Sequence, residues 1–194
     1  MIQEVAVLAI GALLNLAAWQ DVKTREIDAW IFAAAAAPAA VLIYLNWHNP
    51  LYLFSLAVGV VLAVLTRLLG SGYADSLALA LISVAPPIAF LPTPFIAVMA
   101  GSLLLPATML WLYLKNRGRP CKMKTLERLT HICVSRAEFM KNPLKFIVGD
   151  IKDVERYDPT KAEVQEWIKA KYGLPYLLHL TAGYWAYALW LLLS

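Results

Sequence analysis

Two aspartates, Asp21 and Asp75, stand at the boundaries of long apolar blocks. Asp21 follows the first block, and Asp75 opens the fourth within "GYADSLALALIS" (72–83). Acids placed in or beside membrane helices are often functional, because hydrocarbon offers no hydration to the ionised form. Two carboxylates that face each other do not readily both ionise, so one keeps a proton while the other stays charged. Such a pair can activate water against a peptide carbonyl and protonate the leaving amine.

Each acid also has an ordinary structural interpretation. Asp75 followed by Ser76 is typical of a helix N-cap, where the helix dipole stabilises a negative charge. Asp21 has Lys23 and Arg25 nearby, so it can be an interfacial acid that pairs with a neighbouring cation. The catalytic interpretation therefore requires that the two acids meet, and that depends on the helices that carry them.

Those helices are predicted from the distribution of apolar residues. The chain has 194 residues, of which 61% are hydrophobic and 15% charged, and the apolar residues form blocks near the length of about 20 residues that a bilayer core requires. Six candidate spans cover residues 2–20, 29–47, 51–69, 75–91, 95–114 and 174–193. The fold class predicted is an all-α integral membrane protein with six transmembrane helices. The fourth block is at the short end of the required range.

The distribution of positive charge predicts the orientation. All 17 Lys and Arg residues follow the first span, end the third span or lie in the polar stretch 115–172. The positive-inside rule then places these three regions in the cytoplasm and both termini outside. We therefore expect a multi-pass protein of the plasma membrane, with spans 1–5 in 1–114, a small cytoplasmic domain in 115–172 and the sixth span in 173–194. Both aspartates would face the cytoplasm.

The polar stretch 115–172 carries 14 basic and 8 acidic residues. This basic excess beside a membrane favours anionic lipids as partners. No nucleic acid is expected, since the stretch has no nucleic-acid-binding signature and no interleaving of basic and aromatic residues.

Local patterns within the same stretch predict two helices and one short strand. The apolar spacing in 124–140 indicates an amphipathic helix, and the capping-box spacing of Thr160 and Glu163 starts a second one in 160–173. Residues 144–150 are compatible with a short strand. Cys121 and Cys133 lack C-x-x-C spacing, which predicts free reduced thiols.

Two short segments carry a family resemblance. "DVKTREI" (21–27) and "GYAD" (72–75) resemble the two signatures of type IV prepilin peptidases, especially the archaeal preflagellin and prepilin peptidases of the GxGD class of membrane aspartyl proteases. Asp21 matches the first catalytic aspartate, Asp75 the second and Gly72 the first glycine of that class. Ala74 stands at the second glycine, and Asp28 stands where the family often has proline. The six-span plan with a polar insert before the last span is also similar.

The resemblance implies a membrane aspartyl endopeptidase that removes the short basic leader of archaellin or type IV pilin-like precursors at the cytoplasmic face. It implies no metal and no organic cofactor. Gly70, Gly72 and Ala74 would let an extended peptide approach closely, although a plain flexible loop explains the two glycines equally well. Glu26 and Asp28 would attract a basic leader, although a solvated loop is the favoured explanation of both acids. The four-cysteine zinc loop of the bifunctional bacterial enzymes is absent, so methyltransferase activity is not implied.

Two other functions remain open at this point. One is cleavage within transmembrane segments, in the manner of presenilin. The other is a non-enzymatic six-span transporter or proton pathway that uses the same acids, which requires further polar residues leading to the outer face. In addition, Asn15 is expected to form a hydrogen bond between helices, and Arg67 to extend to the lipid headgroups.

Overall fold

The computed structural model describes residues 1–149, 158 and 166–193. The helices are α1 (Ile2–Lys23), α2 (Ala29–Asn46), α3 (Pro50–Leu68), α4 (Tyr73–Ser83), α5 (Thr93–Ser102), α6 (Leu105–Lys115), α7 (Arg136–Lys141) and α8 (Tyr176–Leu193). The strands are β1 (His131–Ser135), β2 (Phe146–Ile147) and β3 (Trp167–Tyr172). The chain divides into two compact units. We call Met1–Ser102, together with the chain from Pro175 onward, the membrane unit, and Leu103–Leu174 the sheet unit.

The chain is predominantly helical and is a multi-pass membrane protein by the length and composition of its helices. Within the described residues, five helical stretches are long and apolar enough to cross a bilayer: Ile2–Lys23, Ala29–Asn46, Pro50–Leu68, Thr93–Lys115 and Tyr176–Leu193. They correspond to five of the six predicted spans.

The fourth predicted span, 75–91, differs from the expectation. Its helix α4 has 11 residues, which at a rise of 1.5 Å per residue gives about 16 Å, roughly half of a hydrocarbon core. The helix ends before Pro86 and Pro87, since proline lacks the N–H that a helix requires and disfavours helical geometry in the preceding residue. Within the described residues, the fourth predicted span is therefore not a membrane-length helix, and the prediction of six full-length spans is not confirmed.

Buried hydrogen bonds stabilise the chain where α4 ends. The Thr93 hydroxyl donates to the carbonyls of Ala85 and Pro86, at 2.9 Å each, and the Thr93 backbone N–H donates to Ser55 Oγ on α3 at 3.1 Å. The Tyr187 hydroxyl of α8 also donates to the Pro86 carbonyl at 2.7 Å. Carbonyls left by a helix end need such partners when they are buried. The connection from α4 to α5 is thus tied to both α3 and α8.

Small residues allow the helices of the membrane unit to pack closely. A Cβ atom added at Gly183 of α8 would overlap the Ala97 carbonyl of α5, and one added at Gly101 would overlap the His179 carbonyl. Between α1 and α8, the Trp185 Nε1 donates to Asn15 Oδ1 at 3.0 Å. The predicted inter-helix hydrogen bond of Asn15 is confirmed.

The sheet unit contains an antiparallel sheet in the order β1-β3-β2. Ile132 pairs with Ala170 and Val134 with Ile168. These side chains form a buried cluster with apolar residues of α6, α7 and β2, namely Leu112, Phe139 and Phe146. The sheet unit therefore has a small apolar core of its own.

The helices predicted for this region are wrong in part. Within 124–140, Glu127–Leu129 forms one turn of 3₁₀ helix and His131–Ser135 forms β1. The α-helix is confined to α7, where Ser135 and Glu138 form a capping box. Within 160–173, Trp167–Tyr172 forms β3, whose exposed and buried residues alternate. Pairing between distant strands overrides the short helical pattern, as it commonly does for segments of this length. The Thr160–Glu163 capping box lies outside the described residues, and β2 confirms a short strand within 144–150.

The prediction of free thiols is also wrong. Cys121 and Cys133 form a disulfide with a Cα–Cα distance of 5.8 Å. Asn116 stabilises the fold-back that brings them together: its Nδ2 donates to the carbonyls of Arg128 and His131, and its Oδ1 accepts from the Cys133 backbone N–H at 2.9 Å. The sequence spacing of the two cysteines does not reveal this loop.

Candidate active site

Asp21 is buried in the last turn of α1. Only 8% of the residue is exposed. Its Oδ1 accepts a hydrogen bond from Arg25 Nη1 at 2.8 Å, one helical turn further along the chain. Its Oδ2 is also buried and has no hydrogen-bond partner among the described residues. Asp21 thus offers one paired oxygen and one that is open to another ligand.

The chain reverses after α1 in a way that returns the Arg25 side chain to Asp21. Arg25 has a left-handed backbone, with φ of 66°, and its N–H donates to the Asp21 carbonyl at 3.2 Å. The Thr24 hydroxyl bonds the carbonyls of Gln20 and Glu26, at 3.1 Å each, and stabilises the same turn. A non-glycine residue in this conformation costs on the order of 1 kcal/mol or more, so the surrounding contacts must hold it.

Asp75 lies half-buried in the first turn of α4. It is close enough to Asp21 of α1, and to Arg25 in the turn that follows α1, to interact with both electrostatically. It also interacts electrostatically with Tyr176, the first residue of α8. The structure therefore brings together the two predicted catalytic aspartates from separate helices.

The N-cap interpretation of Asp75 is wrong. The N-cap of α4 is Gly72, and Asp75 is the third residue of the helix. A carboxylate there still benefits from the helix dipole, but its side chain makes no cap hydrogen bond. Because the cap does not need Asp75, its carboxylate is available to the site.

The loop before α4 is shaped by Gly70 and Arg67. Gly70 has φ of 91°, a conformation that glycine adopts without a steric penalty. Arg67 Nη1 donates to the Ser71 carbonyl at 2.9 Å, and its guanidinium carbon lies 3.8 Å from the centroid of the Tyr73 ring. Arg67 therefore stabilises this loop, a role that its expected headgroup contact does not include.

Gly72 and Ala74, the small residues predicted to bind substrate, flank the start of α4. A Cβ atom at Gly72 would lie 3.8 Å from Asp75 Oδ2, which is ordinary van der Waals contact. The protein's own packing therefore does not require glycine here. Ala74 is half-buried.

The two other predicted substrate-binding acids, Glu26 and Asp28, are exposed in the loop between α1 and α2. Asp28 Oδ2 accepts from Gln20 Nε2 at 2.7 Å and from Trp30 Nε1 at 3.3 Å, while the Asp28 N–H donates to Gln20 Oε1 at 2.9 Å. These bonds join the end of α1 to the start of α2. Asp28 is thus a structural residue of the loop, which the sequence did not predict.

Two residues at the site, Arg25 and Tyr176, were not among the predicted site residues. The sequence could have indicated Arg25, because its spacing of four residues from Asp21 is that of a helical ion pair. No sequence pattern indicates Tyr176, because its approach to Asp75 depends on the packing of α8. Among the described residues, no group of three or more His, Cys, Asp or Glu could hold a metal ion.

Comparison with known proteins does not identify a relative. The chain matches no family model, no curated protein and no solved structure.

Proposed function

We propose that this protein is a membrane aspartyl endopeptidase of the GxGD class, which removes the basic leader of archaellin or type IV pilin-like precursors. The observation that carries the proposal is the approach of Asp21 and Asp75 from separate helices. One ionised and one protonated carboxyl group would share the activation of water and the protonation of the leaving group.

The position of the acids along their helices supports cleavage beside the membrane. Asp21 lies in the last turn of α1 and Asp75 in the first turn of α4, where a helix end can meet water. Cleavage within a transmembrane segment, the alternative suggested by presenilin, would be better served by acids near the middle of their helices. By the positive-inside rule, this end is the cytoplasmic one, and the membrane is the plasma membrane.

The surroundings of the acids suit a peptide with a basic leader. Glu26 is exposed next to the end of α1 and offers negative charge to Lys and Arg side chains. Gly70, Gly72 and Ala74 present little side-chain volume before Asp75, which permits an extended backbone to approach. Anionic lipids are proposed as partners of the basic stretch 115–172.

One observation favours the transporter alternative and another argues against it. Polar groups are buried near the far end of α4, including Ser55, Thr93 and the Tyr52 hydroxyl, which has no partner among the described residues. Between these groups and Asp75, however, α4 places the buried apolar side chains of Leu79 and Ile82. This apolar layer separates the two polar regions, so the endopeptidase is the better supported function.

The experiment is cleavage of a purified precursor with a Lys/Arg-rich leader by the protein in liposomes. Asp21→Asn and Asp75→Asn should each abolish leader removal, because each removes one member of the proton-handling pair. The matched control is Glu4→Gln, an exposed acid in the first turn of α1, at the opposite end of the helix from Asp21; this variant should still cleave. Cleavage by either dyad variant, with both proteins folded in the membrane, would overturn the proposal.

A further inference from the structure

The two carboxyl groups of the site have unequal surroundings. Arg25 donates a 2.8 Å hydrogen bond to Asp21, and only 10% of the Arg25 side chain and 11% of the Asp21 side chain are exposed. Water screens such a pair weakly, and a charge-assisted hydrogen bond favours the ionised form of the carboxylate. Asp75 interacts electrostatically with the same guanidinium and with the Asp21 carboxylate.

We propose that Arg25 is a positioning residue that makes the aspartate pair asymmetric: it holds Asp21 as the ionised member and leaves the shared proton on Asp75. This inference rests on the proposed endopeptidase function. It states which aspartate is ionised and which carries the proton, a distinction that the family resemblance does not make.

The groups that surround Asp75 agree with this assignment. Asp21 faces it from α1, Arg25 from the turn after α1, and Tyr176 from α8. On α3, Arg67 is directed to the Ser71 carbonyl and the Tyr73 ring. The sequences of α2 and α5 contain no Asp, Glu, Lys, Arg or His. Among the described groups, Arg25 is thus the cation placed on the carboxylate pair.

The backbone supports a dedicated role for Arg25. Its left-handed conformation, with φ of 66°, brings the guanidinium back over the last turn of α1. Such strain persists only where the surrounding structure imposes it, and it concentrates at functional sites. A simple interfacial cation, such as Lys23 two residues earlier, needs no such conformation.

The assignment defines each proton transfer in the cleavage. Ionised Asp21 takes a proton from water while the water oxygen bonds to the peptide carbonyl carbon, and Asp75 gives its proton to the carbonyl oxygen. As the C–N bond breaks, Asp21 returns its proton to the leaving nitrogen. Asp75 takes a proton from one hydroxyl of the diol, which becomes the new carboxyl carbonyl. The products are a carboxylic acid and an amine, and both aspartates regain their starting state.

The test compares kcat and KM against pH for the wild type, Arg25→Gln, Arg25→Lys and Lys23→Gln in liposomes. Lys23 is the matched control, because its ammonium lies over the Trp19 ring, at 4.6 Å from the centroid. Arg25→Gln should move the acidic limb of the kcat profile to higher pH by about 1 to 3 units, as expected when a carboxylate loses an arginine partner. The KM of Arg25→Gln should change by less than about threefold. Arg25→Lys keeps the positive charge, so its kcat profile should lie between those of Arg25→Gln and the wild type. The profile of Lys23→Gln should match that of the wild type.

A second measurement needs no turnover. The infrared C=O band of a protonated carboxyl group, taken as the difference between Asp75→Asn and the Asp21→Asn/Asp75→Asn double variant, follows Asp21 alone. Adding Arg25→Gln should strengthen this band at the pH of the assay, because the ionised form of Asp21 loses its hydrogen-bond donor. If Arg25→Gln does not accumulate, Arg25→Lys replaces it. An unchanged kcat profile together with an unchanged Asp21 band would overturn the role of Arg25. Proteolysis by Asp21→Asn or Asp75→Asn would instead overturn the proposed function.

Discussion

Two arginine–carboxylate pairs in the described part of the chain have nearly the same length and different surroundings. In the membrane unit, Arg25 and Asp21 are 2.8 Å apart, and each side chain is about one-tenth exposed. In the sheet unit, Arg119 and Glu138 are 2.7 Å apart, with 20% and 42% of their side chains exposed. Distance alone therefore does not distinguish the roles of these pairs.

The difference lies in what else the carboxylate does. Glu138 also accepts a hydrogen bond from the Ser135 backbone N–H and completes the capping box of α7. Asp21 has a buried oxygen without a partner among the described residues and stands beside a second acid. A carboxylate that is satisfied and exposed stabilises structure modestly, whereas one that is buried and incompletely satisfied is available for chemistry.

The largest expected effect tests the packing of the membrane unit. Gly183→Leu should lower its stability by about 3 kcal/mol or more, because a side chain at this position overlaps the Ala97 carbonyl. The measurement is the yield and thermal unfolding of the protein in detergent. Gly118→Leu in the sheet unit is the comparison: no atom lies within 4 Å of its added Cβ, so only its left-handed backbone opposes the change. Equal losses for both variants would contradict the packing argument.

The next effect concerns the disulfide of the sheet unit. Cys121→Ser/Cys133→Ser should lower the stability of the sheet unit by about 2 to 4 kcal/mol, since the bond closes a loop between residues 12 positions apart. Hydrogen exchange of the β1 and β3 amides should rise, while that of α1 and α8 should not change. Increased exchange throughout both units would show that the disulfide does not act on the sheet unit alone.

A smaller effect is expected from pH at the exposed ion pair. The hydrogen bond from Arg119 lowers the pKa of Glu138 from its ordinary value of 4.5. The stability from this pair is therefore present above the unfolded pKa and is lost as the pH falls through the folded one. Relative to Glu138→Gln, the wild type should be more stable at pH 7 by no more than about 1 kcal/mol, and the difference should vanish at strongly acidic pH. Thermal unfolding of both proteins across this range measures it, and a difference that grows on acidification would contradict the ion pair.

The smallest effect on stability is expected at Gly72. Gly72→Ala should change stability by less than about 0.5 kcal/mol, because its Cβ would make only ordinary contact, at 3.8 Å, with Asp75 Oδ2. If a substrate backbone passes over this position, KM should rise with kcat nearly unchanged. If Gly72→Ala has the kcat and KM of the wild type, the proposed role of Gly72 in substrate binding is wrong.

The sequence was most informative where structure depends on local composition. Long apolar blocks and their charged ends predicted six spans, five of which correspond to membrane-length helices, and placed Asp21 and Asp75 at helix ends. Asn15 was correctly expected to bond another helix, since an amide in a membrane-length apolar helix gains from a partner on a neighbouring helix. The fourth span was overestimated because Ala85 to Leu91 is apolar yet contains two prolines that end α4.

Prediction was weaker where residues distant in sequence must meet. His131–Ser135 and Trp167–Tyr172 contain residues at helical spacing but form paired strands, and the pairing energy comes from the other strand. Tyr176 reaches the site through the packing of α8 against its neighbours, for which no local pattern exists.

Hydropathy and charge in the chain determined the membrane class, the approximate helix boundaries and two acids suited to share a proton, because solvation acts on each segment independently. The folded structure decided that Asp21 and Asp75 lie within electrostatic range of each other, that Tyr176 approaches Asp75 and that two cysteines are joined. Those outcomes arise from contacts between residues that are not neighbours in the chain, and the free energy of these contacts exists only once the segments have packed together.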